Sequence, residues 1–297
     1  MGGCSSEREV SLKSAGQVIS ALAARGFDVV GVDIKKENKN HVRDLIESYD
    51  VGFVFLALHG GFGEDGRIQK IIEEMGLPYT GSGPKASALA MDKVSSRKVF
   101  TSAGLKVPKH CAIDKRHRKV KGLNGFPVVV KPADGGSSIG LSIADNQQGL
   151  KKAIDNAFKY SKAVLVEEYI QGREVTVGIL EDRPLPAIEI KPKRRFFDYK
   201  AKYENFGTEY IVPAVLSARI EKSLKEAALA AHKALGCSFF SRVDLILDNN
   251  MAAYVLEVNT IPGFTTHSLL PMAAQQEGIS FQDLVLRITE AGFRKRR

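Results

Sequence analysis

Acidic and cationic residues meet in one stretch of the C-terminal third. Arg242-Val243-Asp244-Leu245 alternates polar with apolar residues, Tyr254-Val255-Leu256-Glu257-Val258-Asn259 alternates again, and Asp248-Asn249-Asn250 between them is a turn signal. The pattern predicts a β-hairpin. Strand side chains alternate faces, so Arg242 falls with Asp244 and Glu257 with Asn259. A four-residue loop at 249–252 sets Asp244 directly opposite Glu257, whereas a two-residue loop makes them diagonal neighbours; in both registers they share a face. Adjacent carboxylates persist when one is protonated or a cation sits between them. Asn259 adds a neutral oxygen, and a set without His or Cys suits a hard ion such as Mg²⁺ rather than zinc. Arg242 supplies a planar cationic fork for an anion. The solvated face of an ordinary hairpin is the bland account of one Asp–Glu pair. Asn259-Thr260-Ile261-Pro262-Gly263, followed by Thr265, Thr266, His267 and Ser268, shifts the balance toward a lined pocket mouth.

A second constellation suits a polyphosphate. The apolar run Phe126-Pro127-Val128-Val129-Val130 predicts a buried strand, and Lys131-Pro132-Ala133-Asp134-Gly135-Gly136-Ser137-Ser138 follows it directly. A lysine at a strand end beside small residues lets one cation and several backbone N–H groups approach phosphate oxygens. A plain hairpin turn is the alternative. It is not a Walker loop, because the lysine precedes the glycines. Ala163 to Val166 predicts another strand, ending in Glu167-Glu168-Tyr169-Ile170, and Glu174 beyond it reads either as an acceptor of ribose hydroxyls or, as is commoner for such a residue alone, as a surface glutamate. His59 closes the apolar run 51–58 and opens a glycine-rich loop, so a ligand-facing role stands beside a core or capping one. The long polar stretch 191–213, with Phe196, Phe197, Tyr199, Tyr203, Phe206 and Tyr210, reads as a lid. Gly81-Ser82-Gly83-Pro84 is no dinucleotide loop, since Pro84 interrupts it.

Periodicity predicts the elements that must hold these groups. A helix from Ser11 buries Ala15, Val18, Ile19 and Leu22 and ends at Gly26. Strands at 27–34, 51–58 and 78–80 alternate with helices near 41–48 and 69–75, which predicts a parallel sheet with ligands at its carboxyl ends. A single helix is expected over 86–103, carrying Asp92 and Lys93, and Pro108 opens a second domain. Helices at 147–160 and 218–235 follow. The expected division is 1–85, 86–172 and 173–297.

With 297 residues, 44% of them hydrophobic, the chain can bury several cores. Its longest apolar run is too short to cross a bilayer, and three scattered cysteines suit reduced thiols, so a cytoplasmic protein without a membrane partner is expected. Met1-Gly2-Gly3-Cys4-Ser5-Ser6 fits a loose myristoylation pattern, but a ligand-cradling loop explains it at least as well. The net charge of +9 rests partly on Lys115 to Lys119 and Arg294 to Arg297. No aromatics interleave with them, so a solvated loop and tail are expected, and no nucleic-acid partner.

Taken together, GGCSSEREVSL at Gly2, ALHGGFGEDG at Ala57, SALAMDK at Ser87, VVKPADGGSSIG at Val129, EEYIQGREVTV at Glu167, FFDYKAKY at Phe196 and LEVNTIPGFTTHSLLPMAA at Leu256 resemble the ATP-grasp enzymes, specifically the D-alanine–D-alanine ligases, over nearly the whole chain. The resemblance implies a three-domain α/β (α+β) ATP-grasp fold with an N-terminal parallel-sheet domain. It implies ligation of two D-alanines through an acyl phosphate for peptidoglycan synthesis, with ATP as substrate, two Mg²⁺ ions (Mn²⁺ being the alternative) and a homodimer. Asp244, Glu257 and Asn259 are the implied metal ligands, and Lys93 and Lys131 lie on the phosphates. Glu167, Glu168, Tyr169 and Ile170 line the adenine, and Glu174 takes the ribose. Glu7 holds the first substrate's ammonium in a network with Ser137 and Tyr203, with His59 nearby. Lys202 acts from the lid, Arg242 and the Gly263 N–H stabilise the oxyanion, and Ser268 and Leu269 place the second substrate. Family members have an apolar strand before the glycine pair, whereas this chain reads Met1-Gly2-Gly3, so either the start lies upstream or the domain lacks its leading strand. A D-alanine–D-lactate ligase and a nucleotide-binding regulator without catalysis are the rival readings.

Overall fold

The computed structural model describes residues 1–192 and 207–294. Helix α1 (Arg8–Ala23) turns Ser11, Ser14, Ala15, Val18, Ala21 and Leu22 inward, the spacing of one helical face. That face shares a core with the C-terminal helix, so the two ends of the chain pack together. Helices α2 (Lys39–Glu47), α3 (Gly61–Glu64) and α4 (Arg67–Glu74) complete the N-terminal part around Val42, Leu58, Ile68 and Ile72.

The expected parallel sheet is reduced to two isolated parallel bridges, Gly2 with Ile34 and Val54 with Tyr79. The direction agrees with the expectation, but ladders do not form. Met1 to Gly3 pairs only with the end of the segment 27–34, through Gly3 N–H to the Ile34 carbonyl and Ile34 N–H to the Met1 carbonyl. Among the described residues no backbone hydrogen bond joins 28–31 to a neighbouring strand.

The sheets that do form are antiparallel. The first, of four strands in the order β1-β4-β2-β3, comprises β1 (His110–Asp114), β2 (Val128–Pro132), β3 (Ser142–Ala144) and β4 (Ala163–Glu168). Helix α7 (Gln147–Ala157) covers it, burying Leu150, Ala153, Ile154 and Ala157 against Val128, Val130 and Val164. The second sheet joins β5 (Gly172–Leu180), β6 (Arg183–Pro184), β7 (Ile188–Lys191), β8 (Glu209–Ile211), β9 (Phe240–Asp248) and β10 (Ala253–Asn259) in the order β10-β9-β5-β7-β8, with β6 beside β5. Helix α8 (Ala218–Ala234) packs Leu224, Ala228 and Ala231 onto Val175, Val177, Val243 and Leu245. Each such aliphatic side chain stabilises the fold by roughly 1.5–3 kcal/mol when fully buried. Because β9 alternates strictly, the same strand that buries Val243 and Leu245 presents Arg242 and Asp244 on its other face.

The helix expected over 86–103 is two, α5 (Pro84–Met91) and α6 (Lys93–Ser102). Asp92 breaks it: its backbone is extended and its carboxylate accepts from the Val94 and Ser95 N–H groups, an N-cap that starts a new helix. Helices α9 (Leu269–Gln276) and α10 (Phe281–Arg294) end the chain. Phe264 is fully buried and packs edge-on against Phe55 and Phe240, each at 5.5 Å. Cys4, Cys111 and Cys237 are all free thiols, and no described helix is long and apolar enough to cross a membrane.

Candidate active site

The hairpin forms, and Asp244 stands opposite Glu257 while Arg242 stands opposite Asn259. The route differs from the simple loop count. Near the turn Ala253 pairs with Leu247 and Val255 with Leu245, a register that would put Leu256, not Glu257, across from Asp244. A β-bulge at Leu256 adds one residue, shifts the register and turns Glu257 to the face that carries Asp244. Asp244 is gripped by Arg242, whose Nε and Nη2 donate to its two oxygens at 2.9 and 2.7 Å, and by the Thr176 hydroxyl at 2.7 Å. The Asn259 amide oxygen accepts from the Ile261 N–H at 3.1 Å and keeps a second lone pair. Among the described residues no three of His, Cys, Asp and Glu cluster to hold a metal. Asp244, Glu257 and Asn259 nonetheless form an all-oxygen set of the kind Mg²⁺ takes.

The phosphate side is built from two lysines. Lys131, at the end of β2, is buried, and its Nζ lies 2.6 Å from Glu167 Oε2. Arg97 of α6, fully buried, donates from Nε to the other Glu167 oxygen at 2.7 Å. Burial pushes the Glu167 carboxyl up, but the Arg97 and Lys131 charges outweigh it and bring it down to about 2. Burial likewise lowers Lys131, with Glu167 opposing. Glu167 thus acts on the cavity that Lys131 lines through that lysine, because both of its oxygens are occupied. Glu168 is turned away, accepting from the Lys109 N–H at 2.8 Å, while Tyr169 and Ile170 are half-buried just beyond the strand. Glu174 lines the same cavity as Lys131, Ile139, Leu245 and Leu256, an apolar slot with a carboxylate at its edge.

Lys93 opens α6 one helical turn before Arg97. Its ammonium donates to the Gly135 carbonyl at 2.6 Å and stands 3.6 Å from Glu257 Oε2. The loop that follows holds two consecutive left-handed residues, Ser137 at φ 53° and Ser138 at φ 56°. That backbone is uncommon for side chains other than glycine, and it turns the Ser137 hydroxyl onto Glu7 Oε1.

Glu7 precedes α1 and is buried at the head of a larger cavity of ≈ 580 Å³. His59 lines it too, with both ring nitrogens engaged. Nδ1 donates to the Ile261 carbonyl at 2.9 Å, so Nε2 accepts from the Ser14 hydroxyl at 3.0 Å, and Ser14 Oγ in turn accepts from the Phe264 N–H at 3.2 Å. Burial lowers His59 to about 4, so the ring is neutral and ties the substrate wall together. Glu64, absent from the expected set, is buried beside it. Its Oε2 accepts from the Gly60 N–H at 2.7 Å, and burial, with Glu7 next in effect, raises it to about 8. Burial thus favours the protonated form of the Glu64 carboxyl. Gly263, Ser268 and Leu269 line the far wall. Ser268 Oγ accepts from the Thr265 N–H at 3.0 Å, and a Cβ on Gly263 would come within 2.8 Å of that oxygen, so only glycine leaves room. Leu269 begins α9, whose free N–H groups favour a carboxylate. Lys202 and Tyr203 lie outside the described residues. Arg97 and Glu64 left no distinctive mark in the sequence. Arg97 is one of three cations in a single helix, and Glu64 sits in a glycine-rich loop that reads as exposed.

Comparison with known proteins identifies the family. Family models described as D-ala D-ala ligase N-terminus and C-terminus match residues 38–82 and 93–290. The chain is 46% identical to the D-alanine–D-alanine ligase of Citrifermentans bemidjiense over 98% of its own length and 94% of that protein. The Bacillus anthracis D-alanine–D-alanine ligase in complex with ATP superposes with a TM-score of 0.85 at 36% identity, covering 100% of this chain and 96% of that one. The VanG D-Ala:D-Ser ligase of Enterococcus faecalis gives 0.86 at 32%, covering 98% and 97%. The chain belongs to the D-alanine–D-alanine ligase family, with its ATP-grasp fold.

Proposed function

We propose that the protein joins two D-alanines into D-alanyl-D-alanine at the expense of ATP, releasing ADP and phosphate, to supply peptidoglycan synthesis. One observation carries the reading: the nucleotide cavity and the larger substrate cavity meet at Lys93, Gly135, Gly136 and Glu257, which line both. A γ-phosphate entering from one side therefore meets a carboxylate entering from the other.

The first D-alanine binds with its ammonium toward Glu7, whose carboxylate the Ser137 hydroxyl orients. Its carboxylate oxygen attacks the γ-phosphorus as the bond to ADP breaks, giving an acyl phosphate. Lys93 and Lys131 offset the repulsion between these anions. Mg²⁺ held by Asp244, Glu257 and Asn259 would screen the phosphate oxygens further. The second D-alanine is held by its carboxylate at Ser268 and the start of α9. Its amine attacks the carbonyl carbon, and Arg242 with the Gly263 N–H stabilises the oxyanion until phosphate leaves. Lys202 and Tyr203 act from the lid on this reading. Three substructures divide at 85/86 and 172/173, a division supported by one antiparallel sheet on each side of Gly172. A cytoplasmic homodimer completes the reading, and sedimentation tests the dimer. Phosphate release with D-alanine alone, against D-alanine plus D-lactate or D-serine, tests the substrate. Equal or better turnover with D-lactate would overturn D-alanine as the second substrate.

A further inference from the structure

Arg97 lies outside both cavities, yet it joins the two sheets that form them. From α6 its Nε reaches Glu167 in the four-stranded sheet, and its Nη1 donates to the Leu256 carbonyl in β10 of the six-stranded sheet. Leu256 is the extra residue of the bulge that brings Glu257 opposite Asp244. A bulge leaves its added residue outside the regular ladder. Here Val255 N–H donates to the Lys106 carbonyl, and Arg97 takes the Leu256 carbonyl.

We infer that Arg97 is a positioning residue for the metal carboxylate Glu257, acting by holding the Leu256 carbonyl and so fixing the bulge. The inference rests on the reading of Asp244 and Glu257 as metal ligands. Stability alone accounts poorly for this side chain. Arg97 is wholly buried, and its Nη2 has no hydrogen-bond acceptor among the described residues. Apolar residues of similar volume often replace buried ion pairs without loss. No apolar side chain holds a carboxylate and a carbonyl at once, and a lysine, a point charge without the spread of donors of a planar guanidinium, does not span from Glu167 to the Leu256 carbonyl. The same helix sends Lys93 to within 3.6 Å of Glu257 Oε2. One turn of α6 therefore fixes both the backbone before Glu257 and the carboxylate itself.

The test is ADP binding by calorimetry, with Mg²⁺ and with EDTA, on the full chain, its Arg97→Lys variant and its Glu257→Gln variant. Arg97→Lys keeps a charge on Glu167 and gives up the Leu256 carbonyl. Its Mg²⁺-dependent gain in affinity should fall about tenfold, as for other residues that orient metal ligands, while affinity in EDTA stays within about twofold. Amide exchange at Leu256 and Glu257 should quicken. Glu257→Gln should lose the same gain. If Glu257→Gln loses it and Arg97→Lys keeps it, the positioning role is overturned. If both keep it, the metal assignment beneath fails and the inference falls with it. Equal losses with and without Mg²⁺ also overturn the inference, because they mark a collapsed nucleotide pocket. Arg97→Met adds a check on the charge, and thermal unfolding of each variant confirms that it folds.

Discussion

Glu167→Gln removes the charge at the centre of the buried Arg97–Glu167–Lys131 cluster while keeping the shape of the side chain. In the fold the Glu167 carboxyl is held at about 2, against an ordinary value of 4.5. With each tenfold change in an equilibrium near 1.4 kcal/mol, that difference is worth about 3 kcal/mol at neutral pH. The value agrees with the roughly 3–5 kcal/mol lost when one partner of a buried pair is removed. At about 2.1 cal/mol/K of unfolding entropy per residue, it corresponds to a fall of about 5 °C in Tm for a chain of this length. The pH dependence has a fixed sign. A depressed carboxyl stabilises above its unfolded value and loses that contribution as pH falls through its folded value. The gap between wild type and variant should be constant from pH 8 to 5 and close between about 4.5 and 2. Urea unfolding across this range measures the gap, and steady-state kinetics should show KM for ATP raised about tenfold, because Lys131 loses its anchor. A variant within about 1 °C of wild type, or with unchanged KM for ATP, would refute the reasoning.

His59 shifts stability in the same direction, over a higher pH window. Its folded value near 4 lies below the ordinary 6.5, so the unfolded chain binds the proton first and stability falls as pH drops from 6.5 to 4, by at most about 3 kcal/mol. His59→Gln should lack that part of the fall, and a variant whose stability tracks wild type from pH 7 to 4 would contradict a buried neutral ring. Asn146 caps α7 by accepting from the Gly149 N–H at 2.9 Å and lines neither cavity. Asn146→Ala should lower stability by about 1 kcal/mol and leave kcat unchanged; a loss of activity without a loss of stability would count against the cap.

The hairpin was legible because a period of two is hard to mistake when apolar and charged residues alternate, and its acidic face follows from that period alone. The bulge was not legible, since Leu256 looks like any other strand residue and only the pairing with β9 reveals one residue too many. Asp92 hid a helix break because its side chain, not a proline or glycine, interrupts the pattern. The N-terminal parallel sheet was overestimated for a different reason. Apolar runs at 27–34 and 51–58 show that the segments are extended, but a ladder needs neighbours at the right distance, and here each finds a single bridge. Glu167 illustrates the limit for charged groups. The family resemblance implied contact with the adenine, and the fold shows both Glu167 oxygens engaged by Arg97 and Lys131.

The bonds that close the substrate wall also set when it can exist during synthesis. His59 reaches Ile261 across 202 residues, Phe264 reaches Ser14 across 250, and Ser137 reaches Glu7 across 130. Loops of such length close slowly and late, and a ribosome adding roughly 5–20 residues per second delivers Ile261 and Phe264 more than ten seconds after Ser14. A nascent chain can therefore complete its phosphate loop well before it has a wall against which D-alanine can sit. Leu256 and Glu257 also line the cavity that holds Lys131, so neither cavity is complete until that part of the chain has been made.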